Sequence, residues 1–289
     1  MTNNTFRLAF GGGHLGHYSH DELRQHCLAA GAHGIEGATR LFNHDSLDAL
    51  QAEGKAWRDA GLEIHTFHLP FATPPGDIAA FYEALRRAAV DDACRWIERA
   101  VAVGSRVGIQ HPTTAGHRMD DDGFDAYLKP MARSLEKLLP FAESLGFRIA
   151  IENMLPAHGG NVRFGSEPEH FERFAREFDH PALGFCLDTG HALVSVGPNR
   201  CHEFFDAMGD RIIAFHLADN PGDRDLHLAP GRGLVDFSSA FAHAERIGFD
   251  GVMCIEAPPF GHGPAYSAAA WQALVAETHA LAQPAAAND

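Results

Sequence analysis

Eight short apolar runs alternate along the chain with longer segments that carry the apolar spacing of helices. Most of these runs lack the apolar–polar alternation of a half-exposed strand, which predicts parallel strands buried on both faces. The clearest helical segment, residues 119–145, draws one apolar stripe and ends at Gly146, a residue that tolerates a positive φ. The same glycine signal ends three other predicted helices, at Gly61, Gly104 and Gly248. The predicted strands are residues 6–10, 34–39, 63–69, 106–111, 148–154, 183–188, 212–218 and 251–257.

Eight strand–helix units without an intervening linker favour one α/β domain, a single (β/α)8 TIM barrel, over two smaller domains. Such a barrel commonly takes about 250 residues, and the chain has 289. The sequence therefore predicts one barrel over residues 1–282 and a disordered C-terminal tail over residues 283–289. The alternative is a doubly wound open sheet, but the run FGGGHLGH after the first strand does not match the GxGxxG phosphate turn.

The overall charge and the cysteine content argue against several classes of protein. A formal net charge of −15 disfavours a broad electrostatic grip on nucleic acid, which depends on Lys and Arg at the phosphates. No window approaches the roughly 20 apolar residues that span a bilayer, and the N-terminus does not read as a signal peptide, so a cytoplasmic protein is expected. The five cysteines form no CxxC pair, and no structural disulfide is predicted.

Residue types that bind metals follow four of the predicted strands in the second half of the chain. Glu152, Asp188, His216 and Glu256 each come after several apolar residues, at the C-terminal end of a strand. In a barrel these ends open onto one face, so the four side chains are expected to converge there. Buried carboxylates are costly unless a partner neutralises them, which predicts that the four residues ligate a divalent cation. Three carboxylates and one imidazole favour Mn²⁺, Mg²⁺ or Co²⁺ and leave Zn²⁺ as an alternative.

Further polar residues at strand ends, and in the loop after the seventh predicted strand, belong to the same face of the barrel. They are expected to bind substrate or to ligate an additional metal ion. For Glu36, a hydroxyl-binding role and a buried structural role are both open. These residues are His68, His111, His191, Asp225, His227 and Glu36.

The motifs around these residues, IEN, LDTGH, FHLAD, HLAPGRGLVDF and CIEA, resemble those of the xylose isomerase-like barrel superfamily. That superfamily includes sugar isomerases and epimerases such as D-tagatose 3-epimerase-like enzymes, inosose dehydratases, and apurinic-site endonucleases of the endonuclease IV type. The resemblance to the epimerases implies one divalent ion held by the four residues at the strand ends. It also implies that Glu152 and Glu256 form the catalytic acid–base pair.

The predicted activity is isomerisation or epimerisation of a sugar or sugar-derived substrate, by proton transfer next to a carbonyl through a metal-stabilised enediolate. One alternative is a metal-dependent lyase or dehydratase acting on a keto-polyol. Another is a multi-zinc phosphodiesterase of the endonuclease IV type, whose larger ligand set has matches here that include Asp225 and His227 in DLH. The expected partner is a small carbohydrate, unphosphorylated because no phosphate-cradling motif occurs, with no nucleic acid or membrane. The resemblance allows a homo-oligomer.

Overall fold

The computed structural model describes residues 6–43, 46–71, 76–113, 119, 123–157, 160–258 and 267–283. Its centre is one parallel sheet whose strands follow the apolar runs of the sequence. The strands are β1 (Arg7–Phe10), β2 (Gly34–Ile35), β3 (Gly37–Ala38), β4 (Thr66–His68), β5 (Val107–Gln110), β6 (Arg148–Glu152), β7 (Leu183–Asp188), β8 (Ile212–Leu217) and β9 (Val252–Ile255).

Helices lie between successive strands along the chain, except between β2 and β3, which are separated by Glu36 alone. The four glycines predicted to end helices, at positions 61, 104, 146 and 248, all have φ between 63° and 110°. The predicted segment 119–145 contains the long helix α4, and its acidic run at residues 120–122 lies outside the described residues. The helices are α1 (His20–Ala30), α2 (Leu47–Asp59), α3 (Glu83–Val103), α4 (Phe124–Ser144), α5 (Pro168–Glu177), α6 (Thr189–Val196), α7 (His202–Met208), α8 (Phe237–Arg246) and α9 (Ala268–Leu281).

The strands close into a barrel. Their order is β2-β1-β9-β8-β7-β6-β5-β4-β3, and every neighbouring pair is parallel. The two end strands, β2 and β3, are consecutive pieces of the chain on either side of Glu36, so the second predicted strand supplies both edges. The predicted TIM barrel is thereby confirmed, and the doubly wound open sheet is excluded.

The second strand differs from its prediction because it changes partner at Glu36. Its first half, β2, pairs with β1, whereas its second half, β3, pairs with β4. A Cβ atom at Gly34 would lie 1.8 Å from the carbonyl oxygen of Glu63, and one at Gly37 would lie 2.3 Å from a ring carbon of Phe67. Only glycine allows the chain to approach its neighbours this closely on both sides of the change. Glu36 itself is buried.

Small side chains fill the barrel beneath its functional end. Because alternate residues of a strand face the same side, the residues two positions before Glu152, Asp188 and His216 share the face of those polar side chains. They are Ala150, Cys186 and Ala214, which form a buried cluster with Val107, Ile109 and Ile213. The polar residues therefore lie next to an apolar layer of the barrel interior.

The five cysteines are all free, three of them buried and two partly exposed, so the prediction of no structural disulfide is confirmed. Within the described ranges, no helix has the length and apolar character needed to cross a membrane. The predicted tail over residues 283–289 lies outside the described residues from position 284 onward.

Candidate metal centre

The four residues predicted to ligate a cation converge at one end of the barrel. Glu152 and Asp188 are the last residues of β6 and β7, His216 is near the end of β8, and Glu256 directly follows β9. One ligand atom from each of the four lies within 4.8 Å of the others. In the parallel register Asp188 lies opposite His216, whereas Glu152 lies opposite Cys186 and His216 lies opposite Cys254. The four positions share the C-terminal end of four neighbouring strands.

Three carboxylates surround a single nitrogen atom of His216. Its Nδ1 atom lies 2.9 Å from Oε1 of Glu152, 2.9 Å from Oε2 of Glu256 and 3.8 Å from Oδ2 of Asp188. A ring nitrogen carries at most one hydrogen, so it cannot satisfy three acids at once. The arrangement is that of a ligand cage built from three oxygens and one nitrogen.

Three carboxylate oxygens at this centre are buried and accept no hydrogen bond of regular geometry, although ring nitrogens lie close to two of them. They are Oε2 of Glu152, Oδ2 of Asp188 and Oε2 of Glu256. Buried polar atoms are almost always partnered in native proteins, so three such oxygens within one cluster need an explanation. A hard divalent cation would satisfy all three, and the residues present therefore fit a cation of the Mn²⁺, Mg²⁺ or Co²⁺ type.

Asp188 is held in place from two sides. Its Oδ1 atom accepts a hydrogen bond of 2.6 Å from the backbone N–H of His191, which caps the N-terminus of α6. The side chain of Asn153 bonds to both the N–H and the carbonyl of Asp188, at 2.7 and 2.9 Å. With Oδ1 engaged in the cap, only Oδ2 is left to face the centre, so capping and metal binding use different oxygens.

A first flanking cluster, His68, His111 and Glu152, adjoins the centre through the glutamate. The Nε2 atoms of His111 and His68 lie 3.0 and 3.7 Å from Oε2 of Glu152. Nδ1 of His68 is 3.0 Å from the carbonyl oxygen of Leu69, which can accept its hydrogen and leave the Nε2 lone pair toward the glutamate. Both histidines thus lie beside the centre, and their predicted role in binding a substrate oxygen or an additional ion stays a prediction.

A second flanking cluster consists of His191, Asp225 and His227. His191 follows β7 in the sequence, and Asp225 and His227 follow β8. Oδ2 of Asp225 is 3.1 Å from Nε2 of His227 and 3.7 Å from Nε2 of His191. Backbone carbonyls accept from the other ring nitrogen of each histidine, those of Glu256 at 2.7 Å and Asn153 at 2.9 Å. This orientation directs both Nε2 atoms toward one carboxylate oxygen.

The pKa values of the groups in the central cage and the first flanking cluster are shifted in opposite directions. Burial raises the pKa of Asp188 to about 7 and lowers that of His111 to about 4. Burial also opposes charge on Glu152, but the positive charge of His216 and its hydrogen bond with the carboxylate outweigh burial and hold the pKa of Glu152 well below its usual value. Glu152 is therefore ionised at neutral pH, whereas Asp188 gains its negative charge most readily when a cation lies beside it.

The second cluster behaves as a set of ion pairs. Burial disfavours charged imidazoles, yet the neighbouring Asp188 carboxylate raises the pKa of His191 to about 9. The hydrogen bond with Asp225 likewise overcomes burial and raises the pKa of His227 to about 10. In return the two histidines hold the pKa of Asp225 far below its usual value, against the effect of burial. This cluster is consequently suited to bind oxygen atoms of a polar ligand.

Glu36 lies behind His216, away from the cage atom Nδ1. Its Oε2 atom is 3.1 Å from Nε2 of His216 and accepts a hydrogen bond of 2.7 Å from the hydroxyl of Thr66. Glu36 and His216 are 1% and 0% exposed, respectively. Of the two roles left open by the sequence, contact with a substrate hydroxyl is thus the less compatible with its position.

Two features that support the site could not be predicted from the sequence. Asn220 donates from Nδ2 to Oδ1 of Asp225 at 3.0 Å and accepts at 2.6 Å from the N–H of Leu226, which fixes the carboxylate. The glycine run after β1 passes close over the centre, because a Cβ atom at Gly11 would lie 3.3 Å from Cα and Cγ of Glu256. The run FGGGH was a visible signal, but its meaning depends on the closed barrel.

One aromatic residue borders the mouth. Phe71 is 47% exposed, and its ring centroid lies 4.5 Å from that of His111 and 4.7 Å from that of His68. Phe10 and Phe67, by contrast, are buried in the core. Phe71 thus offers an apolar surface beside the first flanking cluster.

The chain is similar to known proteins over part or most of its length, and it spans less than two thirds of the curated relatives that it matches. MJ1311, an uncharacterized protein of Methanocaldococcus jannaschii, is 30% identical over 189 residues, which is 65% of this chain and 62% of that protein. A fructoselysine 3-epimerase of Escherichia coli O157:H7 is 24% identical over 149 residues, 49% of this chain and 52% of the epimerase. The structure of a D-tagatose 3-epimerase-like protein matches with a TM-score of 0.74 and 23% identity over 94% of this chain and 97% of that one, which shows a shared fold.

Residues 25–277 match the sequence model of a family described as "Xylose isomerase-like TIM barrel". That range contains β2 to β9 and runs from before Glu36 to beyond Glu256. The chain therefore belongs to the xylose isomerase-like TIM barrel family.

Proposed function

We propose that this protein is a divalent-metal-dependent isomerase or epimerase of a sugar or a sugar-derived compound. The observation that carries the proposal is the cage around Nδ1 of His216, where three acids supply buried oxygens that accept no hydrogen bond of regular geometry. Support also comes from the curated and structural relatives, which include a fructoselysine 3-epimerase and a D-tagatose 3-epimerase-like protein.

In this proposal, Glu152, Asp188, His216 and Glu256 hold the cation. When bound, the cation supplies Lewis-acid stabilisation of the negative charge that develops on a substrate oxygen. Glu152 and Glu256 each lie 2.9 Å from Nδ1 of His216 and act as the acid–base pair. One carboxylate removes the proton from the carbon next to the carbonyl, and the other returns a proton to the opposite face or to the adjacent carbon. The first outcome is epimerisation, and the second is isomerisation.

The protein environment suits Glu152 and Glu256 to different parts of this exchange. Glu152 is fully buried and is held as a carboxylate by the imidazole of His216. The side chain of Glu256 is 12% exposed, so it is the more accessible of the two to a substrate entering the mouth. The flanking histidines His191 and His227, paired with Asp225, would bind the substrate hydroxyls and orient the reacting carbon between the glutamates.

The test is proton exchange in heavy water. Protein stripped with a chelator and reloaded with Mn²⁺ is incubated with a panel of ketoses and keto-polyols that includes D-fructose and D-tagatose. Incorporation of deuterium at a carbon next to the carbonyl, together with a new sugar isomer of unchanged mass apart from deuterium, supports the proposal. A product that has lost water would instead identify the lyase alternative. The proposal would be contradicted if protein with bound Mn²⁺ gave no deuterium exchange and no product with any compound in the panel.

A second candidate is a multi-zinc phosphodiesterase, and one observation favours it. The two flanking clusters offer complete sets of three ligand residues on both sides of the central cage, and Glu152 belongs to both the first cluster and the cage. The net charge of −15 weighs against a polyanionic substrate. Metal analysis of the purified protein separates the two candidates: about one ion per chain is expected for the isomerase, and about three zinc ions for the phosphodiesterase.

A further inference from the structure

The two ring nitrogens of His216 face different environments. Nδ1 points into the cage of three carboxylates, whereas Nε2 lies 3.1 Å from Oε2 of Glu36 on the other side of the ring. Glu36 and His216 are 180 positions apart in the sequence. No sequence motif links them, and their contact exists only because the barrel closes between β2 and β3.

We propose that Glu36 is a positioning residue that keeps the hydrogen of His216 on Nε2 and so leaves the Nδ1 lone pair for the cation. This inference rests on the proposed function, because it concerns the same metal site. A carboxylate is a strong acceptor, and an acceptor beside one ring nitrogen selects the tautomer in which that nitrogen carries the hydrogen. Histidines that bind metals commonly donate their second N–H in this way, which orients the ring and increases its basicity.

The position of Glu36 is fixed independently of His216. The hydroxyl of Thr66 on β4 donates to the same Oε2 atom at 2.7 Å. The backbone N–H of Glu36 bonds to the carbonyl of Phe10 on β1 at 2.9 Å, at the point where the second strand changes partner. Above it, Gly12 approaches so closely that a Cβ atom there would lie 2.3 Å from the Glu36 carbonyl oxygen. The carboxylate is therefore a rigid part of the barrel wall rather than a mobile side chain.

A different role for Glu36 would use the same atoms. Glu36, His216 and Cys254 together could hold a separate ion. In that arrangement Nε2 would bind the ion and Nδ1 would retain the hydrogen, which would then face the carboxylates of the cage. The tautomer of His216 consequently distinguishes the two roles.

The experiment compares two substitutions that remove different properties of Glu36. Glu36→Gln keeps an acceptor oxygen but no charge, and Glu36→Met keeps the approximate length but offers no acceptor. We expect the affinity for Mn²⁺, measured by titration with detection of free Mn²⁺, to fall a few-fold in Glu36→Gln and about 10–100-fold in Glu36→Met. One site per chain should remain in both variants. In protein loaded with diamagnetic Zn²⁺, NMR should detect the Nε2–H hydrogen of His216 in the parent chain.

Asp92→Asn is the matched control, because Asp92 is a mostly buried carboxylate on α3 that pairs with Arg95 outside the site. It should leave the Mn²⁺ affinity unchanged even where it alters stability. Equal Mn²⁺ affinity in the parent and both Glu36 variants would overturn the inference, as would a hydrogen on Nδ1 of His216 in the loaded protein. Loss of one of two bound ions in the variants would show that Glu36 is itself a ligand. Failure of the parent chain to bind Mn²⁺ would overturn the proposed function and this inference with it.

Discussion

The side-chain amide of Asn153 clamps the backbone of Asp188. Oδ1 of Asn153 accepts from the Asp188 N–H at 2.7 Å, and Nδ2 donates to the Asp188 carbonyl oxygen at 2.9 Å. Both residues are fully buried, so water cannot replace either bond. The clamp fixes the end of β7 from which the Asp188 carboxylate faces His216.

The substitution Asn153→Ala should therefore be strongly destabilising. It leaves the buried N–H of Asp188 without an acceptor and removes one of the donors to the Asp188 carbonyl, which also accepts the first hydrogen bond of α6. We therefore expect a loss of roughly 1–3 kcal/mol in the free energy of unfolding. Urea denaturation of the metal-free protein measures it. Asn199→Ala removes an exposed asparagine and serves as the control. Equal midpoints for Asn153→Ala and the parent chain would mean that the clamp contributes nothing.

Glu152→Gln and Glu256→Gln should each abolish most of the turnover of any substrate that the parent chain converts. Glutamine preserves the size of the side chain but is not a base, so kcat is expected to fall by at least about 10²–10⁴-fold. Metal content must be measured on the same samples, since both residues also belong to the cage. The exposed Glu169→Gln is the control. Full turnover in Glu152→Gln with the metal still bound would refute its assignment as a catalytic residue.

Gly12 and Gly13 form a matched pair for testing the turn above the site. A Cβ atom at Gly12 would lie 2.3 Å from the carbonyl oxygen of Glu36, whereas one at Gly13 would meet nothing within 4 Å. Gly12→Ala must therefore displace the backbone, and a cost of about 1–3 kcal/mol is expected. Gly13→Ala should be neutral or stabilising by up to about 1 kcal/mol, because alanine restricts the unfolded chain. Thermal unfolding of both variants checks this, and equal effects would argue against the close approach.

The sequence predicted the strand ends well because the relevant signals are local. The apolar runs before Glu152, Asp188, His216 and Glu256 correspond to β6, β7, β8 and β9, and the shared direction of these strands then places the four positions at one end of the barrel. A short uninterrupted apolar run needs burial on both faces, and a barrel strand provides it. Fold class and the convergence of the four residues could accordingly be predicted from the order of the runs alone.

The supporting residues could not be predicted in this way, since their roles depend on distant parts of the chain. Glu36 contacts His216 across 180 positions, and nothing near Glu36 in the sequence indicates which strand lies opposite. The division of the second strand at Glu36 depends likewise on the ring carbons of Phe67 and the carbonyl of Glu63, which exclude side chains at the neighbouring glycines. Such contacts become visible only when the closed barrel sets the distances.

His170 provides a pH-dependent contribution to stability outside the metal centre. The residue is 6% exposed at the start of α5, and its Nδ1 atom accepts hydrogen bonds from the N–H groups of Gly165 at 3.1 Å and Glu167 at 3.3 Å. An accepting nitrogen must be unprotonated, and burial lowers the pKa of His170 from 6.5 to about 4. The folded protein therefore requires the neutral ring.

Stability should consequently fall as the pH drops from about 6.5 toward 4. In that interval the unfolded chain binds a proton at His170 and the folded chain does not, so the folded state loses up to about 3 kcal/mol relative to its value at neutral pH. His170→Asn keeps an acceptor oxygen near the position of Nδ1 but cannot titrate. The difference in unfolding free energy between the parent chain and His170→Asn should thus shift in favour of the variant between pH 7 and pH 4.5, as measured by urea denaturation at each pH. His202→Asn, at an exposed histidine, controls for the loss of an imidazole. A difference that does not change with pH would show that His170 is protonated equally in both states.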